Sequence, residues 1–410
     1  MRGLAPATWP DCRTGVRRTL LSLPDVFGGA CCLDGIFRFV RLRLGLHLFM
    51  HLKLLTIQPF LSIMAKQSTQ TAAFFPAVAT DLVLEACPTP SPGPGEVLIR
   101  NHAIAINPVD WKRQAWGFMI PSYPAILGSD IAGIVAEVGE SVTAVKPGDR
   151  VLGLAHGFVS GKNENGAFQT YTVVKASSTA IIPKDMGFVP AATVPIAAAT
   201  AVVALYDVLG LPQPSPDKAP NSSASSILVW GASSAVGSMV VQLARLSGLT
   251  VFAAASERHH AHLRSLGASV VVDYHSPTAV ADLVAAAKKA GKEIEYAVDA
   301  ICEPDTIKPT VEVLSASTAA TKKVVHTLDW PAGVPQPEGI QNQQVQAEGI
   351  WTRREDLSVW LCHEALPKWL ETGAIVPLQH RVIEGGLGGI QNAMDQVKKG
   401  VSGEKLVVEL

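Results

Sequence analysis

The sequence predicts an α/β protein in which a β-rich domain is followed by a doubly wound parallel sheet. Three observations support this fold class. Between residues 64 and 190, short apolar segments alternate with glycine and proline. From Ile227 onward, strand-like and helix-like segments alternate along the chain. Finally, 48% of the residues are hydrophobic and 17% are charged, which is the composition of a protein with a well-formed apolar core.

The β-rich region is indicated by short apolar runs at Val97–Arg100, Ile131–Val138 and Thr170–Val174. Turn signals such as Pro147-Gly148-Asp149 and Gly166 separate these runs. Many short strands with turns between them predict a closed or partly closed barrel.

The second half has a different pattern. Pro190–Leu209 is rich in Ala and Val without strand alternation and predicts a helix, whereas Pro212–Ser226 predicts a loop. The elements that follow are strands at Ile227–Trp230, Thr250–Ala254, Val270–Asp273 and Tyr296–Asp299, and helices at Val236–Leu246, His259–Leu266 and Ala279–Ala290. Their alternation predicts the parallel sheet. The C-terminal stretch predicts a helix at Leu357–Thr372, a loop at Gly385–Gly389, another helix, and a strand at Leu406–Leu410.

The first 63 residues differ from the rest in charge. They contain seven Arg and one Lys against three Asp, a net charge of +5, whereas residues 64–410 carry 26 basic and 32 acidic side chains, a net charge of −6. An Arg-rich, acid-poor segment is typical of a mitochondrial presequence. The alternative is an upstream extension of the gene model, with translation starting at Met64. We therefore expect a cytoplasmic protein, or a mitochondrial one if the extension is genuine.

The composition also argues against several classes of protein. The mildly acidic body has no basic stripe, which disfavours a nucleic-acid partner. The six cysteines are scattered and form no Cys-x-x-Cys pair, which disfavours a disulfide framework and a Cys-rich zinc lobe. We identify no stretch with the roughly 20 uninterrupted apolar residues of a transmembrane helix.

A nucleotide-binding turn is predicted at Ile227–Gly237 (ILVWGASSAVG), which joins a buried strand to a helix. A dinucleotide pyrophosphate binds at such a helix N-terminus, on free backbone N–H groups. The fingerprint G-x-G-x-x-G is degenerate, because Ala232 and Ser234 stand at the first two glycine positions. Small residues still permit close backbone approach, and serine hydroxyls can donate to phosphate. A turn that binds nothing is the alternative, but the complete βαβ context favours a nucleotide.

The end of the second strand predicts which nucleotide binds. NAD enzymes place an acid there for the ribose hydroxyl, whereas this strand ends at Ala255 and is followed by Ser256-Glu257-Arg258-His259. The missing acid and the nearby Arg favour a 2′-phosphate, and hence NADP(H). The alternative is that Arg258 is a solvated charge and Glu257 holds the ribose. His259, His260 and His262 indicate the start of a surface helix rather than a metal site.

An ordered series of further motifs extends along the chain. These are Ala105–Lys112, Leu127–Val135, Val145–Val151, Gly166–Tyr171 and Leu266–Tyr274. Through them, the body from about residue 70 to 410 resembles the medium-chain dehydrogenase/reductases, which combine a GroES-like catalytic domain with a Rossmann domain. Leu209–Pro216, Glu384–Gly388 and Lys399–Val408 narrow the resemblance to fungal trans-acting enoyl reductases of polyketide pathways and their quinone-oxidoreductase-like relatives.

The resemblance implies that no metal is used. Zinc-dependent members place a Cys near the Asn-Pro position and a Gly-His-Glu at the next motif, where this chain has Asn107 and Gly128-Ser129-Asp130. Without those ligands, the Lewis-acid route to an alcohol is not expected. Asp130 and Asp149 lie beside turn residues and are expected to act as local caps rather than catalysts.

The resemblance also implies a site for NADP(H). Val109, Asp110, Trp111 and Lys112 would line the nicotinamide end, and Ser233, Ser234, Ala235 and Val236 would hold the pyrophosphate. Ser256, Glu257, Arg258 and His259 would hold the 2′-phosphate, and Tyr274 would pack against the adenosine. Leu328 and Asp329 would flank the nicotinamide, while Gly403, Glu404 and Lys405 would close on the cofactor. The substrate would be bordered by Val194, Pro195, Ile196, Ala197, Ala198, Ala199, Thr200, Ala201, Val345, Gln346, Ala347, Glu348 and Gly349.

The leading hypothesis is NADPH-dependent reduction of the C=C bond of an enoyl thioester or enone, resting mainly on positioning and oxyanion stabilisation. Lys112, Asp110 and solvent are the candidate proton donors. The alternatives are a stand-alone quinone or enone reductase and a non-catalytic NADP-binding protein. The implied partners are a small or carrier-bound enoyl substrate and a polyketide synthase, with a monomer or homodimer as the assembly.

The expected domains follow the same resemblance. They are a GroES-like catalytic domain at 64–195, a Rossmann domain at 196–340, and a C-terminal return to the catalytic domain at 341–410, after the extension at 1–63.

Overall fold

The computed structural model describes residues 68–220 and 224–410, so the predictions for residues 1–63 lie outside the described part of the chain. In chain order the strands are β1 (Thr69–Phe75), β2 (Val83–Pro88), β3 (Glu96–Ala105), β4 (Ala125–Ile126), β5 (Asp130–Val138), β6 (Arg150–Leu154), β7 (Tyr171–Lys175), β8 (Thr179–Ile181), β9 (Ser226–Trp230), β10 (Thr250–Ala254), β11 (Val270–Val272), β12 (Ile294–Asp299), β13 (Lys323–His326), β14 (Gln341–Gln344), β15 (His380–Ile383) and β16 (Lys405–Glu409).

The α-helices lie mostly in the second half of the chain. They are α1 (Pro108–Trp116), α2 (Gly157–Ser160), α3 (Phe188–Ala192), α4 (Pro195–Val202), α5 (Ala235–Leu246), α6 (His260–Leu266), α7 (Ala279–Lys289), α8 (Pro304–Ser315), α9 (Gly349–Thr352), α10 (Glu355–Val359), α11 (Leu366–Thr372) and α12 (Ile390–Lys399). Helices α4 and α10 continue directly into π-helical turns at Val203–Val208 and Trp360–Ala365.

The β-rich half is organised around the long strand β3. Strand β5 pairs antiparallel along one side of β3. On the other side, β7 pairs with the first half of β3 and β16 with its end, both antiparallel. The main sheet has the order β15-β16-β3-β5-β6-β8, and β2-β1-β4 form a smaller sheet beside it. Phe75, Ile99, Ile131 and Phe168 are fully buried in the shared core. The GroES-like, β-rich first domain is thereby confirmed.

The second sheet is parallel throughout and has the order β11-β10-β9-β12-β13-β14. Counted from β9, this is the order 3-2-1-4-5-6 of a doubly wound dinucleotide-binding fold. Ile227, Leu228 and Val229 of the central strand are fully buried, as expected for a sheet covered by helices on both faces. The predicted Rossmann sheet is therefore confirmed. Its strand order reverses between β9 and β12, where such folds bind their ligands.

The sheet extends beyond residue 340, where the predicted domain boundary falls. Strand β14 pairs parallel with β13 over four residues, so it belongs to the Rossmann sheet. Its sequence, QNQQ, contains no apolar residue, and an edge strand of this kind gives no periodicity signal.

The helix predicted at Pro190–Leu209 is interrupted. Helix α3 ends at Ala192 and α4 begins at Pro195, because proline lacks the N–H that would continue the first helix but is well suited to a helix's first turn. The combined run Phe188–Val208 has the length and hydropathy of a membrane-spanning helix, but 78% of its most apolar window is buried inside the protein. It packs in the core with residues of the Rossmann sheet.

The chain returns to its first half at the end. After α11, strand β15 lies parallel to β16, and β16 lies antiparallel to β3. Helix α12 packs against the same core through Ile390, Ala393 and Met394. Strand β16 therefore lies between β15 and β3, inside the main sheet of the first domain, which we call the catalytic sheet.

Candidate functional site

The turn after β9 forms a close junction between strand and helix. Gly231 has a φ of +68°, and a Cβ there would lie 2.5 Å from Cγ1 of Ile301, in the loop after β12. A Cβ on Gly237 would lie 2.3 Å from the Gly231 carbonyl oxygen. The glycine retained in the degenerate fingerprint thus allows α5 to pack against the end of β9, at the point where the strand order reverses.

Ser234 is the N-cap of α5, and its Oγ accepts a hydrogen bond of 3.0 Å from the Gly237 N–H. The hydroxyl is therefore engaged in capping. The N–H groups of Ala235 and Val236 precede the first intrahelical bond and remain free to donate. Ser233, Ser234, Ala235 and Val236 are all half-buried at this helix start. The arrangement can hold an anion at the positive end of a 12-residue helix.

The segment after β10 lies beside this turn and carries a guanidinium group next to an imidazole. Arg258 is exposed, and its Nε donates to Nε2 of the buried His259 at 3.2 Å. The pKa of His259 is lowered by burial and by the neighbouring Arg258, which favours the neutral imidazole. Ser256 donates to the Tyr274 hydroxyl at 3.3 Å. Glu257 is exposed, and the Tyr274 side chain is 42% exposed.

A loop from the C-terminal end of the chain completes the cleft. A narrow cavity is lined by Ser233, Ala235, Ser238, His259, His262, Leu378, Gln379, Gly403, Glu404 and Lys405. Ser238, His262, Leu378 and Gln379 are additions to the predicted set. Ser238 lies one helical turn beyond Ser234 and could have been found by helical periodicity. Leu378 and Gln379 carry no local signal, because tertiary packing alone brings them here.

Helix α1 carries the next group of predicted site residues. Its start is tied down by Asn107, whose N–H donates to Oδ2 of Asp110 at 2.8 Å. Asp110 is fully buried, and burial raises its pKa to about 7, against the opposing effects of the Asn107 hydrogen bond and Arg113. The predicted catalytic carboxyl is therefore closed off from the cleft. It stabilises the first turn of α1, and Val109 beside it is half-buried.

Lys112 is the charged residue of α1 whose side chain is not fully buried. It is half-buried, with Nζ 5.8 Å from the centroid of the Trp111 ring. Partial burial lowers its pKa, while Glu303 and Cys302 oppose that effect. Both of these groups follow β12. Lys112 therefore lies within electrostatic range of the loop after β12, which is next to the point where the strand order reverses. Trp111 packs edge-on against Trp116 at 5.6 Å.

The loops after β12 and β13 meet near the same point. Asp299, at the end of β12, accepts the N–H groups of Ile301 and Cys302. The Cys302 thiol donates to the carbonyl groups of Leu328 and Asp329 at 3.4 and 3.5 Å. Leu328 and Asp329 are exposed at this edge. The two loops are thus joined where the nicotinamide-flanking residues were predicted.

Asp130 and Lys405 form a buried ion pair, with Nζ 2.5 Å from Oδ2. The pair differs from the predicted local cap, because Asp130 begins strand β5 and its contacts are distant in sequence. Its Oδ1 accepts the N–H of Ile196 at 2.7 Å, and its Oδ2 accepts from Asn107 Nδ2 at 3.0 Å. Asp149, in contrast, caps a turn by accepting the Lys146 N–H. The Lys405 ammonium thus pairs inside the protein while the residue also lines the cleft.

Most of the predicted substrate residues have buried side chains. Most of the first set is buried in α4 or just before it, namely Val194, Pro195, Ala197, Ala198, Ala199, Thr200 and Ala201. Ile196 is the member with a half-buried side chain. In the second set, Val345 and Gly349 are buried, whereas Gln346 is exposed and Ala347 and Glu348 are half-buried in a turn. Few of the predicted substrate side chains are therefore accessible, and their role stays a prediction.

Two family models match the chain. Residues 93–184 match the alcohol dehydrogenase GroES-like domain, and residues 235–319 match the zinc-binding dehydrogenase family.

Curated relatives match nearly from end to end. Trans-enoyl reductase tndF of Aspergillus flavipes is 35% identical over 350 residues, covering 83% of this chain and 98% of the relative. Dehydrogenase orsE of Emericella nidulans is 34% identical, covering 84% and 100%. Trans-enoyl reductase himH of Aspergillus japonicus is 36% identical, covering 77% and 90%.

Solved structures share the fold at lower identity. An alcohol dehydrogenase superfamily protein from Novosphingobium aromaticivorans has a TM-score of 0.68 at 24% identity, covering 83% of this chain and 99% of that protein. The quinone oxidoreductase of Coxiella burnetii has a TM-score of 0.64 at 23% identity, covering 84% and 100%. The CurK enoyl reductase has a TM-score of 0.63 at 20% identity, covering 84% and 99%.

A catalytic zinc ion, which the name of the second family suggests, does not fit the residues present. In residues 68–220 and 224–410, no group of three or more His, Cys, Asp and Glu side chains could hold a metal ion. By the resemblance described above, Asn107 and Ser129 would stand at the ligand positions of zinc-dependent members. Neither an amide nor a hydroxyl is a usual zinc ligand.

Proposed function

Because the chain belongs to the medium-chain dehydrogenase/reductases, and is therefore an oxidoreductase, we propose that it is an NADPH-dependent enoyl reductase. It reduces the C=C bond of an α,β-unsaturated thioester or ketone. The observation that carries this choice of reaction is the match to two trans-enoyl reductases at 35% and 36% identity, over 98% and 90% of their lengths. The residues of the cleft support it independently, as follows.

The choice of NADPH rests on the segment after β10. The strand ends without an acid for a ribose hydroxyl, and Arg258 and His259 follow it. An exposed guanidinium beside an imidazole suits a phosphate, to which arginine can donate two parallel hydrogen bonds. Ser256 adds a hydroxyl. The pyrophosphate would be held by the free N–H groups of Ala235 and Val236, at the start of α5.

When bound, NADPH supplies the hydride that adds to the β-carbon of the substrate. The negative charge then develops on the carbonyl oxygen as an enolate, and a proton must be added at the α-carbon. We assign the stabilisation of that oxygen to Lys112, because it is cationic, half-buried and within electrostatic range of Glu303 and Cys302, which follow β12. A fixed positive charge in a partly desolvated site stabilises a developing oxyanion more than it would in water.

The proton is assigned to Lys112 or to water that it orders, not to Asp110. Asp110 has no exposed surface, and its Oδ2 is engaged by the Asn107 N–H. A carboxyl in that position can affect the substrate only indirectly, by fixing the start of helix α1. Of the three candidate proton donors, Lys112 and solvent therefore remain.

The substrate is proposed to be carrier-bound and delivered by a polyketide synthase, as the names of the trans-enoyl reductase relatives suggest. Substrate enters beside α4 and the turn after β14, where Ile196, Ala347 and Glu348 retain accessible surface. The cytoplasm is the proposed compartment.

Stopped-flow oxidation of NADPH tests this function. The protein is mixed with NADPH and, in separate experiments, with a crotonyl or longer enoyl thioester, a quinone and a saturated ketone. Oxidation with the enoyl thioester and not with the ketone is the expected result. Oxidation with the quinone alone would instead identify a quinone reductase, and no oxidation with any acceptor would identify a non-catalytic NADP-binding protein.

A further inference from the structure

The last residues of three neighbouring strands form a polar row along the carboxyl edge of the parallel sheet. Asp299 ends β12, His326 ends β13 and Gln344 ends β14, and each lies opposite the next in the strand register. We call these three residues the terminal row. Asp299 and His326 are buried, at 0% and 4% exposed. Buried polar side chains cost free energy unless they are hydrogen-bonded, so their partners indicate what the row holds in place.

Asp299 accepts three hydrogen bonds from the segment that follows its own strand. Its Oδ1 accepts the N–H groups of Ile301 and Cys302 at 3.0 and 2.9 Å, and its Oδ2 accepts the Thr306 hydroxyl at 2.8 Å. Burial raises the pKa of Asp299, while these hydrogen bonds and the nearby His326 lower it. Since Thr306 lies in the first turn of α8, one carboxylate fixes both the loop after β12 and the helix that follows it.

The other two members of the row hold the loop after β13. Nδ1 of His326 donates to the Leu328 carbonyl oxygen at 2.6 Å. The side-chain amide of Gln344 pairs with Asp329, because Nε2 donates to Oδ1 at 3.0 Å and Oε1 accepts the Asp329 N–H at 3.3 Å. The loop is therefore fixed from its own strand and from the neighbouring strand β14.

Cys302 joins the two loops to each other. Its side chain is buried, and its thiol donates to the carbonyl groups of Leu328 and Asp329 at 3.4 and 3.5 Å. Its φ is +60°, a conformation that costs free energy in a residue other than glycine and persists where the surrounding contacts impose it. Here those contacts are the Asp299 carboxylate at the N–H and the two carbonyl groups at the thiol. The loops after β12 and β13 are thus held together as joined loops.

The joined loops lie beside the point where the strand order reverses, between β9 and β12. Sheets of this kind bind their ligands in the crevice outside the carboxyl ends of the strands at that point. Cys302 and Glu303 are also within electrostatic range of Lys112, the residue assigned to the enolate oxygen. The terminal row therefore supports the part of the crevice nearest to the proposed chemistry.

We propose that Asp299 is a positioning residue for hydride transfer: by holding the joined loops, it fixes the wall against which the nicotinamide ring of NADPH lies. This inference rests on the proposed function, because it takes NADPH as the cofactor and hydride transfer as the reaction. The pyrophosphate and the 2′-phosphate are assigned to the start of α5 and the segment after β10. Loss of Asp299 should therefore lower the rate of hydride transfer much more than the affinity for NADPH.

The first test measures NADPH binding by titration and hydride transfer in a single turnover with a crotonyl thioester, well below the unfolding midpoint of each variant. Asp299→Ala should lower the transfer rate at saturating NADPH about tenfold or more, since a misplacement of about 1 Å can cost about 100-fold. The Kd for NADPH should change less than about twofold. Asp299→Asn should restore most of the rate, because the amide oxygen still accepts both N–H groups and the Thr306 hydroxyl can accept from the amide nitrogen.

Asp282→Asn is the matched control. Asp282 lies in α7, which follows β11 at the other edge of the sheet, and its Oδ2 also accepts a threonine hydroxyl, that of Thr278, at 2.8 Å. The substitution changes a carboxylate that holds a helix start in the same domain but not the joined loops. Neither the transfer rate nor the Kd for NADPH should change.

A second measurement needs no enoyl acceptor. The dihydronicotinamide ring of NADPH fluoresces, and its lifetime in the complex reports how firmly the ring is held. With protein in excess, the lifetime in Asp299→Ala should fall toward that of free NADPH, whereas Asp299→Asn and Asp282→Asn should keep the wild-type lifetime. A purely structural role of Asp299 would lower the unfolding midpoint and leave the lifetime unchanged.

Several outcomes would overturn the proposal. An unchanged transfer rate and lifetime in Asp299→Ala would do so, and so would a loss of NADPH affinity as large as the loss of rate. If Asp299→Ala does not fold, Cys302→Ala breaks the link between the loops while the carboxylate stays, and an unchanged lifetime there is decisive against the proposal. Failure of the wild type to bind NADPH would overturn it as well. A wild type that binds NADPH but reduces no thioester refutes the proposed reaction alone, since the lifetimes still test the positioning.

Discussion

Nε2 of His259 lies 3.0 Å from the hydroxyl of Ser402, which joins the segment after β10 to a loop 143 residues later in the chain. The next residue, Gly403, has a φ of +70°, and a Cβ on it would lie 2.3 Å from Cε1 of the same imidazole. The backbone of Gly403 is thus in contact with the His259 ring. Glycine is required here because of the positive φ and because a Cβ would clash with the ring. The cationic side of the cleft is therefore shaped by a loop that belongs to the catalytic sheet.

Gly403→Ala should weaken NADPH binding selectively. The added methyl group displaces His259, and the KM for NADPH is expected to rise severalfold more than the KM for NADH. Steady-state kinetics with both cofactors measures this difference. Gly400→Ala is the matched control, since Gly400 also has a positive φ (+100°) but no atom within 4 Å of an added Cβ. Equal effects of the two substitutions would attribute the loss to backbone strain.

Arg258→Ala should raise the KM for NADPH far more than the KM for NADH. The reason is the loss of a guanidinium at the end of β10, where a 2′-phosphate is expected. A loss of about tenfold or more corresponds to one charge-assisted contact. Arg264→Ala, on the exposed face of α6, should change neither constant. A similar rise for both cofactors in Arg258→Ala would contradict the assignment and favour Glu257 as the ribose ligand.

Two substitutions at Ser234 separate capping from anion binding. Ser234→Ala removes the acceptor for the Gly237 N–H and should cost about 1 kcal/mol of stability. Ser234→Asp keeps an acceptor at the N-cap but adds a negative charge at the start of α5. It should therefore unfold near the wild-type temperature and yet bind NADPH and NADH poorly. Normal binding in the aspartate variant would show that the pyrophosphate lies elsewhere.

Lys112→Met should lower kcat with the enoyl substrate while changing the KM for NADPH little. The ammonium is assigned to the enolate oxygen, and loss of one oxyanion-stabilising donor costs about 100-fold or more in kcat where this effect has been measured. Lys398→Met is the control, because Lys398 also lies near the Trp111 ring, at 5.9 Å. If both variants lose activity equally, packing on the tryptophan explains the effect, and the oxyanion role is refuted.

His156 should contribute to loss of stability in acid. Burial lowers its pKa from 6.5 to about 4, so below pH 6.5 the unfolded state binds a proton that the folded state does not. The stability it contributes is complete above pH 6.5 and is lost as the pH falls toward 4, by roughly 3 kcal/mol at most. Urea unfolding of wild type and His156→Gln across this range measures the difference.

The raised pKa of Asp110, about 7, changes the pH dependence of stability in the opposite direction. Asp110 contributes increasing stability as the pH falls from 7 toward 4, because the folded state is the one that binds the proton. Comparing the two proteins cancels this contribution, which both share. Parallel pH dependences for wild type and His156→Gln would refute the role of His156.

Local patterns could be predicted from the sequence. The strand, turn and helix around Gly237 follow from contiguous residues, and the observed helix begins one residue before the predicted one. In contrast, α8 was missed because Pro304 and Pro309 lie within its range, although Pro304 suits a helix start. The pairing of Asp130 with Lys405 could not be foreseen, since 275 residues separate them and nothing in either local motif indicates the partner.

The burial of Asp110 was equally hidden from the sequence. A motif identifies the residue type at a position, but the depth of the side chain depends on what packs over the helix start. Here the carboxyl is fully buried and accepts the Asn107 N–H. The motif therefore does not reveal that Asp110 is fully buried, whereas Lys112, two residues later, is only half-buried.

The place of β16 affects the order in which this protein can be made. Its pairs with β3 and β15 lie inside the sheet, and β3 is synthesised some 300 residues earlier. On the ribosome, the Rossmann strands from β9 to β14 emerge complete while the catalytic sheet still waits for its last inner strand. The catalytic domain is thus begun first and completed last. Its exposed β3 edge must be protected from pairing with other chains until Lys405–Glu409 has been synthesised.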